Sequence, residues 1–197
     1  ILFLGWLGFA AQGHVEGAAD AVDHNINSLS VRRVGSRAIE KAMNGRGAKP
    51  IAPGKYDVVL EPGAISDLIL FLGWLGFAAQ GHVEGRSALC GKIGQKVFSD
   101  KFSLKADPFD PRFEGMPFDM EGYARKSVTL IENGVVKGLT HDRRTAKLLG
   151  GENNGYAMEQ PCASGPEVDC LAVKEGNSTV EKMIESTERG LLVTQFH

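Results

Sequence analysis

Few residues in this sequence have both the type and the spacing that chemistry needs, and the densest group is Gln80, Gly81, His82, Val83 and Glu84. An imidazole and a carboxylate two positions apart, directly after an apolar stretch, could serve as part of a metal site or as a proton-transfer pair. A single imidazole does not make a catalytic zinc centre, which takes three protein ligands. A histidine at a helix C-terminus also interacts favourably with the last carbonyls without any catalytic role. Asp119 and Glu121, close in sequence to Arg125 and Lys126, form a second candidate pair of carboxylates. Nothing around them is apolar enough to raise a carboxylate pKa, so a solvated turn is expected there.

His141 and Asp142, followed by Arg143 and Arg144, read as a polar helix start with a surface role. Cys90, Cys162 and Cys170 are odd in number and lack CxxC spacing, which excludes a disulfide framework and a cysteine-rich zinc site. Cys162 falls in a Pro/Gly loop and Cys170 in an apolar strand, without the electropositive setting of a reactive thiol. His24 and His197 have no interpretable partner. No Walker A loop, GxSxG elbow, HExxH or strand-following GxGxxG occurs, so no cofactor-binding motif is present.

Composition narrows the classes further. With 22 Lys+Arg against 24 Asp+Glu, a net charge of −2 and 43% apolar residues in 197, the chain has the make-up of a globular protein and not of a membrane, coiled-coil, collagen-like or disordered one. It has no excess of positive charge with which to neutralise a phosphate backbone, so direct nucleic-acid binding is disfavoured. The cysteine usage fits a reducing, cytoplasmic compartment.

The elements that must position these residues follow from periodicity and punctuation. VRRVGSRAIEKAMN after Ser30 is amphipathic at helical spacing and ends at Gly45. The breaker-rich Gly45 to Gly54 segment is the expected domain boundary. A strand is expected over 55–60, then a helix with Pro62 in its first turn, apolar on nearly every side from Leu68 to Ala79 and so expected to be buried. Short strands are expected at 96–98 and 102–105. Strand-forming residues on both sides of Asn133 and Gly134 predict a hairpin with a two-residue type I′ turn. A helix over 142–149, a strand over 169–173, a helix over 178–189 capped by Ser178 with Glu181 three residues on, and a strand from Gly190 complete the series. This irregular mixture implies an α+β fold with an antiparallel sheet.

Residues 1–17 recur unchanged at 69–85. The second copy has a strand-to-helix context and the first has none, so 1–17 is expected to be a duplicated or misassigned copy. Its apolar run is too short for a membrane span and lacks the basic leader of a signal peptide.

Four ordered segments carry a family resemblance: KYDVVLEPGAISDLI (55–69), GRSALCGKIGQKVFSDKFSL (85–104), FDMEGYARKSVTLIENGVVKGLTHDRRTAKLLG (118–150) and EKMIESTERGLLVTQFH (181–197). Together they resemble the TldD/PmbA family, cytoplasmic proteins known as predicted modulators of DNA gyrase and as zinc-dependent peptidases acting on unfolded peptides. The resemblance implies that 18–50 closes an N-terminal α/β region and that 51–197 is the first half of the C-terminal domain. Family peptidases carry HExxxH on the helix after the VVLEP-like strand, and a distant cysteine completes the zinc site. Overlaid here, that motif falls on Phe77, Ala78, Ala79, Gln80, Gly81 and His82, so only the last histidine survives. The departure resembles the metal-free TldE/PmbA branch. It implies no catalytic or metal-binding residue in this chain and no cofactor, zinc being expected only in a TldD-type partner. It also implies pairing with that partner or self-association, with His82, Glu84, Asp119 and Glu121 as possible peptide-channel residues. A self-sufficient zinc metallopeptidase using His82 and Glu84, and a non-proteolytic modulator binding gyrase or another protein, are the alternatives.

Overall fold

The computed structural model describes residues 6–9, 15–19, 21, 26–113 and 115–196, so His24 and His197 lie outside the described residues. The chain divides into two units, residues 1–55 and 56–197.

In the first unit, strands β1 (Trp6–Phe9) and β2 (Val15–Ala18) pair antiparallel, with Trp6 opposite Ala18. Helix α1 (Val31–Asn44) matches the expected span. Ser30 begins it by accepting a hydrogen bond from the Arg33 N–H, and the Gly45 N–H closes it on the Lys41 and Met43 carbonyls. Strand β2 and α1 approach so closely that a Cβ on Gly17 would collide with the Ala38 carbonyl and the Ala42 backbone. Only glycine allows that contact.

The second unit holds the larger core. Strand β3 (Asp57–Leu60) leads into helix α2 (Pro62–Leu72), which has Pro62 at its first turn. A π turn (Gly73–Phe77) and helix α3 (Ala79–Val83) follow. Next in chain order come β4 (Leu104–Ala106), β5 (Val128–Glu132), β6 (Val135–Val136), helix α4 (Arg143–Leu149), β7 (Leu171–Val173), helix α5 (Val180–Glu185) and β8 (Gly190–Val193). An antiparallel four-stranded sheet runs in the order β6-β5-β4-β7, while β3 pairs in parallel with β8. The fold is α+β. Leu104, Ala106, Leu130, Ile131 and Val136 from the sheet pack with Phe77, Leu89, Leu139, Tyr156 and Val168. Burying each of the larger side chains stabilises the unit by roughly 1.5–3 kcal/mol.

Three expectations need correction. The long helix expected to be buried from 68 to 79 is broken, because Ala78 takes an extended conformation and forms a bridge with Thr140. It is also not buried all round: Leu68, Leu70, Phe71, Trp74 and Leu75 are 39–66% exposed. Of the strands expected at 96–98 and 102–105, the first reduces to a single bridge between Lys96 and Val135 and the second shifts to β4. Helix α5 is shorter than expected and is capped by Thr179, whose hydroxyl accepts from the Lys182 N–H, in place of Ser178. The repeated string behaves differently in its two contexts, since Trp-Leu-Gly-Phe is strand β1 at 6–9 and part of the π turn at 74–77.

The hairpin forms as read. Asn133 and Gly134 have φ of 48° and 80°, the two positive values that a type I′ turn requires. Gly134 also lies against the Phe98 and Ser99 carbonyls, with no room for a Cβ. Gly134→Val is therefore expected to lower stability by about 2–4 kcal/mol, through left-handed strain and collision together. Urea denaturation of the two proteins measures it, and an unchanged midpoint refutes the assignment.

Candidate functional site

The interruption at Ala78 organises the region around His82. The Thr140 N–H donates to the Phe77 carbonyl at 3.0 Å and the Ala79 N–H donates to the Thr140 carbonyl at 3.1 Å. With the helical ladder broken there, the Gly76 carbonyl accepts from other donors. It lies 2.7 Å from His82 Nε2 and 3.0 Å from the Ser87 hydroxyl, which donates to it. His82 thus holds the end of the π turn as a donor through Nε2, leaving Nδ1 as its second nitrogen. Glycine at 73 and 76 suits the tight packing, because a Cβ on Gly73 would come 2.9 Å from the Leu171 side chain and one on Gly76 3.0 Å from Leu89.

His82 lines a cavity of about 450 Å³ together with Cys90, Lys137, Leu139, His141 and Gly151. His141 was expected on the surface, yet its ring is half-buried and its Nδ1 is buried without a hydrogen-bond partner. Burial holds the His141 pKa below its usual 6.5; neighbouring Asp142 opposes that shift and His82 adds to it. The residue is fixed by its backbone, since its N–H donates to Asn154 Oδ1 at 2.6 Å and its carbonyl accepts from the Tyr156 N–H at 3.2 Å. Asp142 is fully engaged as the N-cap of α4, accepting from the Thr145 N–H at 2.6 Å and from the Thr145 hydroxyl at 2.7 Å. Sequence reasoning missed His141 because the signal lies in tertiary packing. The only local hint was its place directly after a hairpin strand.

The other candidates separate from this cavity. Glu84 is exposed at the end of α3, hydrogen-bonded by Gln80 at 2.5 Å and ion-paired with Arg86, and these two partners lower its pKa. Asp119 is buried, not solvated as expected. Its carboxylate accepts from the N–H groups of Glu121, Tyr123 and Ala157 at 2.9–3.0 Å, so it pins one loop to another. Glu121 lies 3.6 Å from Arg143. Near Asp119, the almost fully buried Arg125 forms a bidentate ion pair with Asp169 and stacks 4.4 Å over the Tyr156 ring. Burial and the adjacent Asp169 push the Cys170 thiol up to about 11, away from reactivity.

A third feature is an apolar groove of about 580 Å³ between α2 and β7, lined by Ile65, Ile69, Leu70, Phe113, Val168, Leu171 and Val173. Strand β7 ends the sheet. The Lys174 N–H donates to the Ser103 carbonyl and the Asp107 N–H to the Cys170 carbonyl. In an antiparallel ladder this alternation turns the backbone groups of Leu171 and Val173 outward, away from β4. Among the described residues no strand pairs with that edge.

Residues 53–197 match the family model described as the PmbA/TldA metallopeptidase C-terminal domain. The chain belongs to the PmbA/TldD family. A protein of Methanothermobacter thermautotrophicus named "Metalloprotease" is 30% identical over 167 residues, 82% of this chain and 36% of that protein. A Buchnera aphidicola protein named "Metalloprotease TldD homolog" is 24% identical over 177 residues, 88% of this chain and 37% of its own length. A solved Thermotoga maritima structure, described as that of a candidate modulator of a DNA gyrase, superposes with a TM-score of 0.85 at 27% identity, covering 95% of this chain and 43% of that one. TldE from Thermococcus kodakarensis superposes with a TM-score of 0.70 at 28% identity, over 85% of this chain and 39% of that one. The chain thus spans well under half the length of these relatives.

The family's zinc can be tested against the side chains present at the overlaid positions. Phe77 is fully buried in the core and has no donor atom, Ala78 has no carboxylate, and His82 Nε2 is engaged by the Gly76 carbonyl. Among the described residues no three His, Cys, Asp or Glu side chains cluster as a metal site. This donor set does not fit a catalytic zinc. No helix among the described residues is long and apolar enough to cross a membrane.

The depressed pKa of His141 sets a pH dependence. The unfolded chain takes up this proton first as pH falls below 6.5, so the stability linked to neutral His141 is complete above that value. It is lost as pH drops from 6.5 towards the lower folded-state value. The urea midpoint of the protein is expected to fall between about pH 7.5 and about pH 5 more steeply than that of His141→Gln. Equal slopes would remove His141 as a cause.

Proposed function

We propose that this chain is a metal-free, TldE/PmbA-type partner subunit of a cytoplasmic peptidase system acting on unfolded peptides. In this reading it contributes peptide-binding surface and not a catalytic centre. The observation that supports it is the chemistry at 77 and 78: an apolar ring buried in the core and a methyl group stand where the resemblance would put the first zinc ligand and the general base. The likeness to TldE supports the same branch. Peptide would dock as an added strand on β7, whose outward backbone groups border the α2 groove; backbone pairing of this kind is tolerant of sequence, as a substrate range of unfolded chains demands.

The name of the Methanothermobacter thermautotrophicus relative favours a second reading, a self-sufficient zinc peptidase, for which ligands would come from the rest of the protein. Metal analysis of the full-length protein separates the two. No stoichiometric zinc is expected, and chelator-sensitive cleavage of an unfolded peptide is expected only after a TldD-type subunit is added. One zinc per chain with partner-independent cleavage would overturn the partner-subunit reading.

Val173→Pro tests the docking edge itself. Proline removes the outward N–H while leaving the ladder to β4 intact, the one setting in which a strand tolerates it. Peptide affinity is expected to fall about tenfold with little change in melting temperature. Full affinity in a folded variant would place the peptide elsewhere.

A further inference from the structure

We infer that the cavity beside His82 is a carboxylate-binding site. His141 and the Lys137 ammonium share it with His82, whose Nε2 proton is spent on the Gly76 carbonyl, and among the described residues no acidic one lines it. The acids beside its lining residues are held by other groups, Glu152 next to Gly151 by Lys126. Asp142 is consumed by the cap of α4, and Glu84 is bound to Gln80 and Arg86. Glu132 pairs with Lys137 at 3.2 Å, but both side chains are about half-exposed, and a pair of that kind contributes little and yields readily to a competing anion.

The shape of the cavity agrees with its charge. Its volume of about 450 Å³ falls within the range that takes a small molecule or the end of a peptide. Gly151 faces His141 so closely that a Cβ there would stand 3.3 Å from Nε2, and its absence leaves that nitrogen open to a ligand oxygen. Lys137 supplies a point charge, and His141, with no hydrogen-bond partner on Nδ1, is free to take whichever tautomer presents a donor to that oxygen. Leu139, Leu149 and Ile93 provide apolar surface beside these groups. A peptide offers this chemistry from two sources, its C-terminal carboxylate and an acidic side chain. The inference rests on the peptide-binding reading and adds a charged anchor separate from the β7 edge, since the cavity is lined from the β6 side of the sheet and β7 is the opposite edge.

The test is an NMR titration of the 197-residue chain with three probes: N-acetyl-trialanine, its C-terminal amide, and the amide of N-acetyl-Ala-Glu-Ala. The ring signals of His82 and His141 report on the cavity, and the amides of Leu171 and Val173 report on the β7 edge. The trialanine acid is expected to shift both rings saturably, with the trialanine amide at least about tenfold weaker. A response to the glutamate peptide assigns the side-chain source, and a response to the acid alone assigns the C-terminus; either supports the site. Lys137→Met and Gly151→Ala, which removes the charge and fills the space respectively, are each expected to weaken the ring response severalfold in folded protein. Equal ring responses to the trialanine acid and its amide, or none to any probe, overturn the inference. If the β7 amides still move in that case, the peptide-binding reading survives without its anchor.

Discussion

The bridge between Ala78 and Thr140 is the constraint on which the second unit turns. Two backbone hydrogen bonds, from Thr140 to Phe77 and from Ala79 to Thr140, join the helical segment to the chain leaving the hairpin. A continuous helix could not make them, because residue 78 must be extended to present its neighbours' backbone groups sideways. Breaking the helix drives Phe77 into the core and releases the Gly76 carbonyl to His82 and Ser87. It also brings His141, the residue after Thr140, to the cavity that His82 lines. Core packing and the chemical character of the cavity therefore share one cause.

The loops around Tyr156 and Asp119 are held by a different principle. Tyr156 is buried with its hydroxyl 3.0 Å from the carbonyls of Ala106 and Lys126, so a loop residue ties together two segments flanking the sheet. Burial raises its pKa and keeps the phenol a donor. Arg125 lies over its ring and reaches Asp169, while Asp119 collects three N–H groups from two loops. Charged groups are costly to bury unless paired or hydrogen-bonded; Arg125 has Asp169, and Asp119 has its three N–H donors. In chemical type Asp119 and Arg125 look like active-site residues, yet their geometry spends them on holding irregular backbone in place.

This contrast explains what was legible in the sequence. The boundaries of α1, the α4 cap at Asp142 and the Asn133–Gly134 turn rest on local rules: a side-chain acceptor within three residues for the N-caps and positive φ at Asn-Gly for the turn. The antiparallel sheet followed from the hairpin. The break at Ala78 was not legible, because Gly-Trp-Leu-Gly-Phe-Ala-Ala has no breaker strong enough to announce it, and the strand β1 formed by the same letters shows how weak the local preference is. The burial of Asp119 and the half-burial of His141 were hidden for the same reason: their surroundings come from residues distant in sequence, Ala157 for Asp119, and His82 and Asn154 for His141. Set against HExxxH, positions 77 and 78 take their meaning from the family resemblance alone and from no local pattern.

The parallel pair of β3 and β8 reaches further along the chain than any other strand pairing described in the second unit. It joins residues 57–60 to 190–193, closing a loop of about 130 residues whose entropy cost is on the order of 4 kcal/mol. Four residues a side, with Val58 and Leu192 about half-exposed, recover little of that, so the pair depends on the core having formed first. Folding is then expected to proceed from the hairpin outward, with β3–β8 zipping last. In the native protein the same pair would open first, giving the backbone amides of 57–60 faster hydrogen exchange than those of β4 and β5. The strand that leads into α2 is thereby the least secured support of the helix that borders the groove.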